Sequence, residues 1–293
     1  MNKKRKQSKI LDAMLVLLPK LREFHSPHSE SHSLLKTIAR KEVESLFTQK
    51  HDPNLSFHFG PFGNIVFPYT QMGAVDSLNL FDLDELIIFS FYWINRKKYK
   101  NVFDLGANLG LHSIIMDKCG YKVRSYEPDP LHYEYMIKNI KENNCINVEA
   151  VNEAVSYKNG EMEFTRVLGN TTGSHITGSK DDPYGELEKF FVTVKSIESL
   201  LKWADLVKMD IEGHEKEIFR NTPIEAWENV DVIVEVENEK SAKMIFKSFK
   251  DSNINLFSEM TCWSHVRQFS DMPKSYHDGS LFITKHYEMN WSI

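Results

Sequence analysis

From residue 101 onward the sequence alternates short apolar runs with helical stretches, and no other feature constrains the fold as strongly. Val102-Phe-Asp-Leu105 reads as a buried strand, residues 109–119 as a helix, Lys122–Tyr126 as a second strand and residues 130–143 as a second helix. Val148–Val151 makes a third strand and Leu206–Met209 a fourth, with a short helix over 214–220. Residues 230–236 are strongly β, 239–251 helical, and 254–259 and Ser280–Thr284 are late strands. Between the third and fourth strands, residues 161–167 and 190–195 form an antiparallel pair around a polar loop. Alternation of this kind packs helices on both faces of one sheet. It predicts an α/β fold, doubly wound and mostly parallel, with an inserted β-hairpin. Ligands of such sheets bind beyond the carboxyl ends of the strands, at the switch in strand order.

The first hundred residues follow another pattern. Helices are expected over 8–23 and 31–49, broken by the Ser, His and Pro residues of 25–32. Residues 55–59 and 64–67 read as strands around the turn Gly60-Pro-Phe-Gly63, and 77–98 as a helix. The expected organisation is an N-terminal helical arm with a small β patch over 1–76, followed by one α/β domain over 77–293. The arm is basic, with 11 Lys and Arg against 5 Asp and Glu in residues 1–50, and reads as a solvated helical extension. This extension and the aromatic stretch 57–69 are candidates for a homodimer contact or a lid.

Overall charge is −5 and the sequence pI is about 6.2, so the electrostatic footprint of a nucleic-acid binder is missing. Asp12 interrupts the apolar run near the start, and Pro19-Lys20-Leu21-Arg22 stands where a cleavage site would lie. The start therefore reads as an amphipathic helix and not a signal peptide. No stretch approaches the ~18 apolar residues that span a bilayer. Cys119, Cys145 and Cys262 are odd in number and widely spaced, which points to a reducing, cytoplasmic setting.

The strand-to-helix connection Asp104-Leu-Gly-Ala-Asn-Leu-Gly110 holds the strongest chemical signal. Gly106 and Gly110 allow a tight turn and close backbone approach, and the helix start offers free N–H groups. Asp104 is placed to order this loop by accepting its N–H groups. Glu127, 21 residues past Gly106, ends the second strand, where an acidic residue takes both hydroxyls of a ribose. Together they predict a nucleoside-containing cofactor. A dinucleotide site wants Gly-x-Gly-x-x-Gly, but here Asn108 fills the middle position. The carboxylates of Asp104, Glu127 and Asp210 also suit a cationic sulfonium and a ribose better than a diphosphate. An NAD-dependent oxidoreductase and a non-catalytic binding protein that keeps the fold are the competing readings.

Four segments in order carry a family resemblance: residues 103–110, Glu127-Pro-Asp129, Asn152-Glu-Ala-Val155 and Lys208-Met-Asp-Ile-Glu-Gly-His-Glu215. Over about residues 100–240 the chain resembles FkbM-type methyltransferases. The resemblance implies a class I, Rossmann-like methyltransferase fold. It also implies methyl transfer from S-adenosyl-L-methionine, usually to a hydroxyl of a sugar, glycolipid or small metabolite. Carried over by position, Asp104, Gly106, Asn108 and Gly110 would face the methionine half. Glu127 would hold the ribose, framed by Pro128 and Asp129. Asn152, Glu153 and Ala154 would border the adenine, and Asp210 would stand beside the transferring methyl.

Candidates for the chemistry are Asp210 and Glu212 at the end of the fourth strand, with His214 or His175 as base. His175 sits in a loop of small polar residues, 169–178. His112 reads as a packing residue. Trp263, His265, Arg267 and Tyr276-His-Asp278 are candidates for an acceptor pocket. No metal is expected, because Asp210, Glu212 and His214 fall within five residues and converge only through a special turn. The fourth strand lacks the Asp/Asn-Pro-Pro-aromatic tetrad of nucleobase methyltransferases, so the expected acceptor is a small molecule or carbohydrate.

Overall fold

The computed structural model describes residues 6–48, 52, 55–180, 183 and 185–292. The chain enters through β1 (Lys6–Gln7) and α1 (Lys9–Leu17), capped by Ser8, whose hydroxyl accepts the Leu11 N–H. The helix expected over 8–23 stops at Leu17, because Pro19 withholds a backbone donor and two 3-10 turns take over. Ser29 caps α2 (Glu30–Leu46); the last residue expected in this helix, 49, lies outside the described residues. β2 (Ser56–His58) pairs antiparallel with β3 (Asn64–Val66) and parallel with β1. β4 (Gln71–Met72) and β5 (Val75–Asp76) form a minimal hairpin. α3 (Leu83–Ile94) is shorter than the 77–98 expected, since Asp82 accepts the Leu83 N–H and opens the helix there.

The N-terminal extension is not the solvated arm that its charge suggested. Leu11, Leu15, Val43, Phe57 and Phe59 join one buried cluster with Leu86 and Phe89 of α3. The charges of α1 and α2 occupy only the outward faces, while the apolar stripes at helical spacing seek the core.

The remaining chain runs β6 (Asn101–Leu105), α4 (Leu111–Lys118), β7 (Lys122–Tyr126), α5 (Pro130–Glu142) and β8 (Val148–Val151). Next come β9 (Ala154–Ser156), β10 (Gly160–Val167), β11 (His175–Ile176), β12 (Leu187–Ser196), α6 (Ile197–Leu201), β13 (Leu206–Met209) and α7 (Glu215–Asn221). β14 (Asp231–Glu235), α8 (Glu239–Phe249), β15 (Asn255–Ser258), β16 (Ser264–His265) and β17 (Ser280–Thr284) complete it.

Eight strands form the main sheet in the order β16-β15-β17-β14-β13-β6-β7-β8. The five from β14 to β8 run parallel, and the β15, β16 and β17 pairings are antiparallel. This is the mostly parallel, doubly wound, Rossmann-like sheet that the strand–helix alternation predicts. Its central strands are buried on both faces, as continuous apolar runs demand. The order reverses between β6 and β13, so the carboxyl ends of these two strands open a crevice. The inserted element is larger than a hairpin: β10 and β12 pair over eight residues, and β11 and β9 add a strand on either side.

Candidate active site

A cavity of about 1080 Å³ lies over the carboxyl ends of β6, β7, β13 and β14. Its floor is the loop after β6. Gly106 (φ 77), Asn108 (φ 51) and Gly110 (φ 82) are all left-handed there. A Cβ on Gly106 would sit 1.7 Å from the Asp210 carbonyl oxygen, so the loops after β6 and β13 touch only because residue 106 is glycine. The N–H groups of Gly106 and Ala107 both donate to the Tyr126 carbonyl at 3.0 Å.

Glu127 borders the cavity from a buried position. Its Oε2 accepts the Asn108 N–H at 2.8 Å and its Oε1 the Asp129 N–H at 2.9 Å, leaving a lone pair on each oxygen. Burial pushes this carboxyl up to about 8, against the pull of those two N–H groups. Asp104 takes a different part from the one expected. It is fully buried beneath the loop and accepts the Ser113 hydroxyl at 2.5 Å, with no loop N–H bound. A strand end pleats its side chains to alternate faces, and residue 104 faces the helix α4, not the loop above.

Other expected site residues divide the same way. Pro128, Glu153 and Ala154 line the cavity with Gly106, Asn108 and Glu127; Gly110, Asp129 and Asn152 do not. Gly110 packs on α5, where a Cβ would meet Met136 at 2.8 Å. Asp129 caps α5 through the Leu131 N–H and holds Arg166 through both carboxylate oxygens at 2.6 Å. Asn152 donates to the carbonyls of Glu127 and Pro128 and so fixes the acidic turn from behind.

The segment after β13 turns sharply. Glu212 (φ 56) and Gly213 (φ 92) are both left-handed, and Glu215 braces the turn by accepting the Ile211 N–H at 2.8 Å. Asp210 stays at the cavity, 3.4 Å from Lys208, which also lies 3.9 Å from Asp104. Burial alone would raise the Asp210 carboxyl, but the Lys208 charge and a hydrogen bond with Glu235 hold it below the usual range. Glu235 is pushed well up by burial and by Asp210 beside it. Glu212 faces the cavity and pairs with Lys180. His214 is turned away. Its ring lies between Ser156 (2.7 Å) and Ser179 (3.0 Å), buried and lowered to about 4 by desolvation. The turn thus takes His214 away from Asp210 and Glu212, which both border the cavity.

His175 is not on a free loop. It sits on β11 against β10 and borders the cavity. Its Nδ1 bonds the Gly173 carbonyl at 2.9 Å. A carbonyl only accepts, so Nδ1 carries the proton and the neutral ring keeps its lone pair on Nε2. Burial holds this ring below the ordinary imidazole range. The segment 170–176 roofs the cavity, tied by the Ala74 N–H to the Gly169 carbonyl and by Lys180 to Glu237 at 3.2 Å.

Of the C-terminal candidates, Tyr276 and His277 reach the cavity. Trp263 is buried and donates to His25, His265 bonds Asn255, and Arg267 and Asp278 lie off the cavity. Sequence reasoning missed Glu85, Lys180 and Glu235. Glu85 reads as an ordinary acidic first turn of a helix, and Lys180 as a loop charge. His112, expected to pack, borders the cavity beside Glu85.

A family model described as the methyltransferase FkbM domain matches residues 104–269. The methyltransferase sdnD of Sordaria araneosa is 28% identical over 169 residues, covering 46% of this chain and 65% of that protein. The chain thus spans about two thirds of the length of the curated relative it matches. Among solved structures, cofactor-bound Rv0187 from MTB aligns with 67% of this chain and 78% of its own, at 12% identity and a TM-score of 0.37. An O-methyltransferase from Bacillus cereus in complex with SAH aligns with 67% and 78%, at 8% identity and a TM-score of 0.35.

Proposed function

This chain belongs to the methyltransferase FkbM domain family, and from that premise we propose that it methylates a hydroxyl of a sugar, glycolipid or small metabolite with S-adenosylmethionine. One observation carries the cofactor assignment: the cavity floor presents acceptors in need of donors. Asn108 Oδ1 is buried without a hydrogen-bond partner among the described residues, and it borders the cavity beside Glu127 and Asp210. S-adenosylmethionine offers an ammonium, two ribose hydroxyls and a positive sulfur to such a wall. A dinucleotide brings a diphosphate, which wants N–H donors and cations, so the same wall argues against an oxidoreductase.

In this reading Asn108 and Asp210 take the ammonium, and Glu127 takes the ribose hydroxyls. Pro128, Glu153 and Ala154 flank the base. Gly106 lets the backbone of both loops approach the ligand. When bound, the cofactor supplies a methyl carbon made electrophilic by its cationic sulfur. His175 accepts the acceptor's hydroxyl proton at Nε2, the tautomer that the Gly173 carbonyl enforces. The remaining rate comes from holding the reactants in line under the 170–176 roof. Unpaired Cys119, Cys145 and Cys262 are consistent with a reducing compartment such as the cytoplasm.

Calorimetry with adenosylhomocysteine and with NAD tests the reading. Adenosylhomocysteine is expected to bind and NAD to fail. Glu127→Ala should weaken adenosylhomocysteine by about tenfold to a hundredfold, the worth of one or two charge-assisted hydrogen bonds. Unchanged affinity would overturn the role of Glu127, and no binding to the native protein would overturn the cofactor.

A further inference from the structure

Beyond the cofactor floor, the cavity is walled by the first turn of α3, the ends of β13 and β14, and Lys36 of α2. Its cations are already engaged. Lys36 lies 2.7 Å from Asp84 and 3.0 Å from Asp82. Lys180 is held between Glu212 and Glu237, and Lys208 between Asp210 and Asp104. Lys240, also on the wall, has a partner of its own. A phosphate or carboxylate entering here would meet Asp82, Asp84, Glu85 and Glu237 and would have to break an ion pair to find a cation.

One wall carboxylate is held ready with an oxygen to spare. The Tyr92 hydroxyl, fully buried, bonds Nδ1 of His112 at 3.1 Å, and Nε2 of His112 bonds Glu85 Oε2 at 2.8 Å. A carboxylate only accepts, so Nε2 carries the proton and the Tyr92 hydroxyl donates to Nδ1. The Phe89 and His112 rings pack in an edge-type contact, with centroids 4.9 Å apart. The partly buried His112 and the buried Tyr92 behind it therefore fix the rotamer of Glu85. Its Oε1 makes no hydrogen bond to any described residue, and the side chain borders the cavity.

We propose that Glu85, oriented by His112 and Tyr92, positions the methyl acceptor by accepting an O–H or N–H from it, and that the acceptor is a neutral or amine-bearing polyhydroxyl compound, not a phosphorylated one. The inference rests on the methyl-transfer reading above. A fixed carboxylate binds a hydroxyl or ammonium strongly because its orientation costs no further entropy on binding. The surrounding acidic wall raises the preference for positive over negative acceptors.

Saturation-transfer NMR on the protein–adenosylhomocysteine complex, with D-glucosamine, D-glucose and D-glucose 6-phosphate as probes, tests it. Glucosamine and glucose are expected to bind, glucosamine the more tightly, and glucose 6-phosphate to give no signal. Glu85→Gln keeps the shape and removes the charge, and should weaken glucosamine about tenfold. Tyr92→Phe removes one hydroxyl behind His112 and should weaken it less. Glu85→Asp keeps the charge one methylene back, and should fall between native and Glu85→Gln. Adenosylhomocysteine titration of each variant verifies that it is folded. Glucose 6-phosphate binding as well as the others would overturn the proposal, as would an absence of signal from all three probes or an unchanged glucosamine affinity in Glu85→Gln. Loss of adenosylhomocysteine binding in the native protein would instead strike the methyl-transfer reading.

Discussion

His175 and His214 stand within reach of the same segment but differ in what their ring nitrogens can do. His175 has one nitrogen engaged by a carbonyl and the other without a described partner, at the cavity. His214 has both nitrogens closed off by serines. His175→Gln is expected to lower turnover about a hundredfold or more, while adenosylhomocysteine affinity stays unchanged. Because burial lowers the His175 ring, the acid limb of kcat/KM should lie below the ordinary imidazole value of about 6.5. His214→Ala should act on stability instead. It leaves Ser156 and Ser179 without a partner in a buried site, a cost of about 1–3 kcal/mol that urea denaturation would measure. A large turnover defect in fully folded His214→Ala would refute this division.

Among the elements, the roof over the cavity depends on a contact between two backbones. Gly73 (φ 82) lies so close to the segment entering the roof that a Cβ would stand 2.2 Å from the Gly169 carbonyl oxygen. Gly73→Ala adds a clash and a left-handed alanine, itself a cost of about 1–2 kcal/mol. The expected result is a loosened roof, with faster proteolysis between residues 168 and 180 and partial protection by adenosylhomocysteine. Unchanged cleavage would show that the roof is held elsewhere, by Lys180 and the β10–β11 pairing. The same kind of contact explains why the loops after β6 and β13 form one floor: Gly106 is packed against Asp210. A lone glycine in the sequence marks a turn, but not which distant backbone it meets.

Over the whole molecule, the extension and the sheet share a core. Leu18, Val43, Leu46 and Phe57 are buried with Phe89 and Ile115, so a fragment of residues 77–293 would expose a broad apolar face. Such a fragment is expected to aggregate or to lack a cooperative thermal transition by circular dichroism; a stable, monomeric fragment would contradict this. Stability should also depend on pH in a definite direction. Burial raises Glu127 and Glu212 to about 8 and Glu215 to about 7 in the folded protein. Between the ordinary carboxyl value and these, the folded state binds more protons than the unfolded one. Their stabilisation is full below the ordinary carboxyl value of 4.5, falls as pH rises from there, and is gone above about 8. The ligand-free Tm should therefore lose this contribution between about pH 4.5 and 8, and Glu127→Gln with Glu215→Gln should flatten that fall.

By itself the sequence determined what depends on neighbours along the chain. The apolar runs separated by helical stretches specified the parallel sheet. Gly106, Asn108 and Gly110 marked the turn after β6, and Glu127 the acidic strand end, because each is a local conformational or chemical demand. Tertiary structure decided what depends on residues far apart. His214 was excluded by Ser156 and Ser179, and Asp104 by Ser113 beneath the loop. The N-terminal extension became part of the core, and Glu85 became a cavity wall through a histidine 27 positions later and the tyrosine behind it. No spacing rule encodes these pairings. They arise when the sheet twists, the helices dock and left-handed turns at Glu212 and Gly213 redirect the chain, which fixes the partner of each buried polar atom.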